Sequence, residues 1–303
     1  MMLDLAIAVS RISQVETFLT GRTPFPGKDA LSRYLAALYE KPLALIREGA
    51  VSHLYFGNSF CQYRLPSVNE VRDVLNLCEI HKLQFVLLTP PLNDTGIARC
   101  QAYLDFLEDI GQAVPVVVND LGLLALLRAR CYLGEIIWGR VLDKTTRDIR
   151  MTSDERRRYY SASGYDYARS LASTSEPYRQ FLAQWGVARV QYDCAAYPLF
   201  GGNLHYDLIY PTEYLTTGRM CLFRATTRTK NNRFSIWGNC VRPCQNAIEL
   251  LVRPMDRVML RDDGSRSLFL EVVRYGNTLF CLHSDFCLSP GTDRIMVDLD
   301  LIP

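Results

Sequence analysis

The chain has 303 residues, 49% of them hydrophobic and 22% charged, which is enough apolar content for a large core. Its net charge of +2 gives no bulk field of the kind that marks a nucleic-acid-binding chain, and no run approaches the ~20 apolar residues of a membrane helix. The opening MMLDLAIAVSRISQ lacks the basic start of a secretory signal and reads as a first strand; a cytoplasmic, reducing setting is therefore expected, in which ten cysteines do not form a disulfide framework.

In chain order, apolar runs of strand length alternate with amphipathic helical patterns. Leu5–Val9 reads as a strand and Asp29–Glu48 as a helix, with Leu31, Leu35, Leu38, Leu43 and Ile46 on one side. His53–Phe56 is a short strand, followed by a helix over Ser67–His81 that opens on a capping box, Ser67 with Glu70. Leu83–Thr89 is a buried strand ended by Pro90-Pro91, and Thr95–Ile110 a helix. Val114–Val118 is a strand, then Asn119-Asp120-Leu121-Gly122 leads into a helix over Leu123–Arg130. A strand at Glu135–Trp138, an irregular polar stretch 140–166, a helix at Pro177–Trp185 and strands at Val187–Tyr192 and Asn203–Tyr210 follow. After these, β-type segments dominate: Glu249–Val252, Arg257–Leu260, Ser267–Val273 and Thr278–Leu282.

Repeated strand–helix units predict an α/β fold with a parallel sheet, and their number favours a TIM-like (β/α) barrel, complete or short of a unit, with a β-rich C-terminal part. We read 1–303 as one domain, with a metal-binding segment 214–248 and a β-rich tail 249–303. No GxGxxG follows the first strand, which argues against a dinucleotide fold. In a barrel the chemistry gathers where strands end, here Asn58–Arg64, Pro90–Asp94, Asn119–Asp120, Gly139–Arg150, Cys194 and Pro211–Cys221.

Four cysteines stand apart from the helical core stripes that claim Cys78 and Cys100. Cys240 and Cys244 form a CxxxC, Cys221 lies eighteen intervening residues upstream, and Cys61 follows a short strand. From 214 to 248 there is no Asp or Glu, while Arg219, Arg224, Arg228, Lys230, Arg233 and Arg242 all fall inside. A cationic setting lowers thiol pKa and balances thiolate charge, as an iron–sulfur centre requires. A lone CxxxC is more often structural, and four thiolates also suit zinc, although paired CxxC knuckles are missing.

The ordered set His53-Leu-Tyr-Phe-Gly57 leading to Cys61-Gln-Tyr-Arg64, then Asn119-Asp120-Leu-Gly122, then Gly218-Arg-Met-Cys221-Leu-Phe with Cys240 and Cys244, resembles the collagenase-like (unclassified) peptidase family, especially its UbiU/UbiV-type oxygen-independent hydroxylase branch, and within it UbiV. The resemblance implies a barrel and a 4Fe–4S cluster on Cys61, Cys221, Cys240 and Cys244. It implies oxygen-independent, anaerobic hydroxylation, as in ubiquinone biosynthesis, of a metabolite or an RNA base, with prephenate as oxygen donor. It also implies a role as one half of a heterodimer with a paralogue, catalytic or not. The insert between Cys221 and Cys240 is longer than that branch leads one to expect, and the stretch 256–303 has no counterpart in it. Peptidase activity has little support, since GxSxG, HExxH and a Cys–His nucleophile pair are all missing; a zinc-binding module is the remaining alternative.

Further candidates follow from position. Arg140, Lys144, Arg147 and Arg150, with Arg219, could hold the carboxylates of a small anionic substrate, or form a salt-bridged loop with Asp143 and Asp148. His205 and Asp120 are candidate acid–base groups with structural alternatives, a hydrogen-bonded barrel histidine and a helix cap. Arg156-Arg157-Arg158-Tyr159-Tyr160 reads as a solvated helix face rather than an RNA contact. Cys194 is the substitute fourth ligand should Cys61 not serve, and Cys131, Cys281 and Cys287 are taken as structural.

Overall fold

The computed structural model describes residues 3–20, 30–143, 145, 164, 166, 169–195, 199, 201–235, 238–251, 259–260, 266–267, 272–283 and 286–301. Eight parallel strands close a barrel: β1 (Asp4–Val9), β2 (Val51–Gly57), β3 (Gln84–Leu88), β4 (Val116–Val118), β5 (Ile136–Trp138), β6 (Arg189–Asp193), β7 (His205–Tyr210) and, last in the chain, β14 (Thr292–Asp298) between β7 and β1. Alternate residues divide inside from outside. Ala6, Ala8, Tyr55, Val86, Leu88, Val117, Ile137, Ile209 and Met296 pack together within the barrel, while Ile7, Leu54, Phe56, Leu87 and Val118 face the surrounding helices.

The helices are α1 (Ile12–Leu19), α2 (Ala30–Leu38) and α3 (Glu40–Glu48) between β1 and β2, then α4 (Val68–His81), α5 (Asp94–Asp109) and α6 (Leu121–Ala129) after the next three strands, and α7 (Glu176–Gln184) before β6. The capping box on α4 is present in full: Ser67 Oγ accepts the Glu70 N–H, and the Glu70 carboxylate accepts the Ser67 N–H. The single helix expected over Asp29–Glu48 is instead two, meeting at Tyr39, with Pro42 in the first turn of the second, where its missing N–H costs no bond.

The largest departure from the sequence reading lies in the tail. Between β7 and β14 the chain forms β8 (Thr212–Thr217), β9 (Ile248–Leu250), β12 (Val272–Tyr275) and β13 (Thr278–Leu282), which build a four-stranded antiparallel sheet in the order β8-β13-β12-β9. The short helix α8 (Leu222–Thr226) follows β8, and a two-stranded ribbon, β10 (Met259–Leu260) with β11 (Arg266–Ser267), lies in the same insertion. The stretch 249–303 is therefore not an appendage. Its final strand completes the barrel, and its hairpin covers one side of the C-terminal mouth.

Candidate metal centre

Cys61 is placed by the end of β2. Gly57 has φ +138°, and a Cβ there would lie 2.0 Å from the Leu88 carbonyl oxygen, so only glycine lets β2 run this close to β3 as it ends. The side chain of Asn58 then accepts the N–H groups of Phe60 (3.0 Å) and Cys61 (2.7 Å), turning the chain into a 3-10 helix over Gln62–Arg64. Cys221 follows β8 and stands at the residue just before α8. Cys240 and Cys244 flank a bend in which Arg242 takes φ +55°. The Arg242 N–H donates to Cys240 Sγ at 3.4 Å, and the backbone N–H groups of Tyr63 and of Phe223 and Arg224 stand close enough to Cys61 and Cys221 to favour their thiolate forms. Bonds of this type stabilise metal-bound thiolates and set their potential.

These segments enclose one cavity of about 290 Å³, open to solvent, into which Cys61, Cys221, Cys240 and Cys244 all face. All six pairings among the four thiols are close enough for each to feel another's charge. Among the described residues, no three or more His, Cys, Asp or Glu side chains gather tightly enough to hold one metal ion. All four cysteines line the wall of this one cavity. The wall also contains Arg64, Arg219, Arg224 and Arg242, and no Asp, Glu or His is among its described residues.

The expected depression of the thiol pKa does not hold for Cys61, Cys221 or Cys244. Removal from water raises Cys61 and Cys221, and pushes Cys244 up to about 12; Arg64, Arg224 and the N–H···S bonds offset this only in part. Burial is the main cause of the rise, and the neighbouring thiols add a smaller push in the same direction.

The other sequence candidates are scattered. Arg219 lines the cavity and donates to the Leu92 carbonyl (3.1 Å). Arg140 does not serve as an open anion receptor. It is buried at the barrel mouth between Asp193 (2.5 Å) and Asp298 (3.0 Å), donates to Thr212, and packs over the rings of Phe60 and Tyr214, so its charge is already answered. Lys144, Arg147 and Arg150, like 156–160, lie outside the described residues. His205 is at the wrong end: it is the first residue of β7, exposed at the N-terminal rim and bonded to Asp293 at 2.6 Å, because the strand runs from His205 toward the mouth at Tyr210. Asp120 caps α6, accepting from Gly122 and Leu123, and also binds the Leu92 N–H (3.0 Å), the structural role. Cys194 is fully buried at the end of β6 beside Asp193 and Glu213 and is not part of the cavity wall; Cys131, taken as structural, is exposed in the turn after α6.

Sequence patterns do not reveal the groups that hold Cys61 in place. Asp300, just beyond β14, accepts from Arg64 (2.8 Å), Asn58 (2.9 Å) and Ser10. Arg64 also reaches Tyr275 Oη (2.9 Å) and lies 4.4 Å over that ring. Asn277, on the β12–β13 turn, donates to the carbonyls of Phe60 (2.9 Å) and Gly218 (2.7 Å), joining the loop of Cys61 to that of Cys221. The run TDRIMVD is the one available signal for β14, and its charges disguise it.

Comparison with protein-family profiles, with curated proteins and with solved structures gave no match to this chain.

Proposed function

We propose that this chain is an iron–sulfur protein that holds a 4Fe–4S cluster on Cys61, Cys221, Cys240 and Cys244 and takes part in oxygen-independent hydroxylation, as its resemblance to the UbiU/UbiV-type branch implies. The observation that carries the reading is the cavity itself. Four cysteines from segments far apart in sequence face one void whose described wall has four arginines and no carboxylate. A thiolate-ligated cluster is anionic and needs both cationic surroundings and N–H···S bonds; both are on the wall. A single zinc ion would need the sulfurs about 2.3 Å from one point, and no such group is found among the described residues.

When bound, the cluster would supply electron transfer or Lewis acidity beside Arg219, Gln62 and Asn93, whose N–H groups would orient the carboxylates of a donor such as prephenate. A second reading, a cluster-bearing subunit that needs a paralogue for turnover, is favoured by one observation. Among the described lining residues there is no Asp, Glu or His to move a proton near neutral pH. Peptidase chemistry draws no support: His53, His205 and His283 are hydrogen-bonded to Arg294, Asp293 and Glu213, with no cysteine among these partners. Among the described residues no helix is long and apolar enough to cross a membrane.

Anaerobic incubation of the cluster-loaded protein with heavy-oxygen-labelled prephenate and candidate acceptors, alone and with a paralogue, tests this. Label appearing in an acceptor supports the hydroxylase reading, and label appearing only with the paralogue supports the subunit reading. Label that stays in the donor under both conditions, with an intact cluster, contradicts both.

A further inference from the structure

Exposed apolar side chains collect in the chain segment that carries three of the cysteines. Of the ten large hydrophobic residues exposed among the described residues, four fall within 220–241: Met220 (60% exposed), Leu222 (48%), Phe234 (58%) and Val241 (76%). Met220 and Leu222 flank Cys221 in the chain, and Val241 follows Cys240. Single exposed hydrophobics are ordinary, but a group of them beside a candidate site marks a surface that another molecule covers.

Charge narrows the partner. The same segment has six cations and no acid from 214 to 248. Arg219, Lys230 and Arg233 are exposed, and none of them forms an ion pair with a described carboxylate. A second copy docking through this face would set these cations against themselves, which costs affinity. Single-stranded RNA gains most from planar rings on which bases stack, and this rim offers one ring, Phe234, among three aliphatic side chains. Methionine and aliphatic groups framed by cations fit the apolar centre and charged rim of a protein interface.

The geometry points to a docking surface for a small acidic one-electron carrier protein, seated on Met220, Leu222, Phe234 and Val241 and oriented by Arg219, Lys230 and Arg233. This inference rests on the cluster reading. A carrier seated there lies against the chain neighbours of two ligands, so the path for tunnelling is short. With a cluster held there, the reduced carrier would pass it one electron, and no bond is made or broken.

The test is anaerobic stopped-flow reduction of the cluster-loaded protein by a reduced plant-type 2Fe–2S ferredoxin, with iron and sulfide measured for every variant. The second-order rate should fall ~10-fold or more between low salt and about 0.5 M salt, because steering is screened. The double variant Lys230→Glu/Arg233→Glu should slow reduction at low salt by ~10-fold at unchanged iron content. Phe234→Ser should raise the ferredoxin concentration needed for half-saturation. A rate indifferent to salt and to charge reversal, in a protein with full iron, overturns this inference alone. So does single-stranded RNA that binds the same face and leaves ferredoxin reduction unaffected. A chain that purifies without iron overturns the cluster reading, and this inference with it.

Discussion

Asp300 and Arg64 form an ion pair at 2.8 Å in the wall behind the candidate metal centre, the acid standing just beyond β14 and the base in the turn that carries Cys61. The pair ties the last barrel strand to the loop of the first cysteine. Arg64 is almost wholly buried, so removing its partner leaves an uncompensated charge. Asp300→Ala should destabilise the fold by about 3–5 kcal/mol and lower iron content, whereas Asp300→Asn should lose less of both. Urea unfolding and iron per chain, measured on the same preparations, check this.

Gly57 sets the same loop through the backbone. With φ at +138° and only 2.0 Å between the position of a Cβ and the Leu88 carbonyl oxygen, there is no room for a side chain. Gly57→Ala should cost about 3 kcal/mol and displace Cys61. Gly111→Ala, at a positive-φ turn with open space around it, is the control: it should cost less and leave iron unchanged. Denaturation midpoints and iron content separate the two.

The metal-free thiols make a pH prediction. Burial raises Cys61 and Cys221, and raises Cys244 to about 12, above an unfolded value of about 8.5. The folded chain therefore keeps protons that the unfolded chain gives up. Their stabilising contribution is full below about pH 8.5 and is lost as pH rises toward about 12. Metal-free protein should lose stability across that window, and a variant with all four cysteines replaced by alanine should lose less. Cluster assembly should release protons and proceed more readily at pH 8 than at pH 6. Unfolding midpoints against pH, and reconstitution yield at the two pH values, are the readouts.

At the opposite end of the barrel, burial and the neighbouring Arg294 lower His53 to about 4. Its Nε2 accepts from Arg294 at 2.8 Å, which requires the neutral ring. Below about pH 6.5 the unfolded chain takes up a proton that the folded chain refuses, so stability falls until about pH 4. His53→Gln, which can still accept from Arg294, should flatten the acid slope between those values. An unchanged slope in urea titrations would assign it to other groups.

The barrel is legible in the sequence because its strands are apolar runs set off by helices with ordinary signals, such as Ser67 with Glu70. The cysteine set is legible because none of the four fits a helical stripe and no acid lies near three of them. What is not legible has physical reasons. β14 frames its apolar run Ile295-Met296-Val297 with Asp293, Arg294 and Asp298, charges satisfied only across the barrel ends, so it does not look like a buried strand. His205, by contrast, is placeable from chain direction alone, since the mouth of a parallel barrel gathers strand C-termini and His205 opens β7. Arg140 looks like a free cation because its partners Asp193 and Asp298 lie 53 and 158 residues away in sequence. The links through Asp300 and Asn277 are long-range contacts between loops, which no local pattern encodes.

The central claim is tested most directly by iron and acid-labile sulfide per chain after anaerobic purification, on the wild-type protein and on Cys61→Ala, Cys221→Ala, Cys240→Ala, Cys244→Ala and Cys194→Ala. The expected result is about four of each per wild-type chain, a brown protein, loss of most of both from the first four variants, and full retention in Cys194→Ala. A colourless wild-type protein with stoichiometric zinc and no sulfide, or iron unchanged by Cys61→Ala and lost from Cys194→Ala, would contradict the assignment.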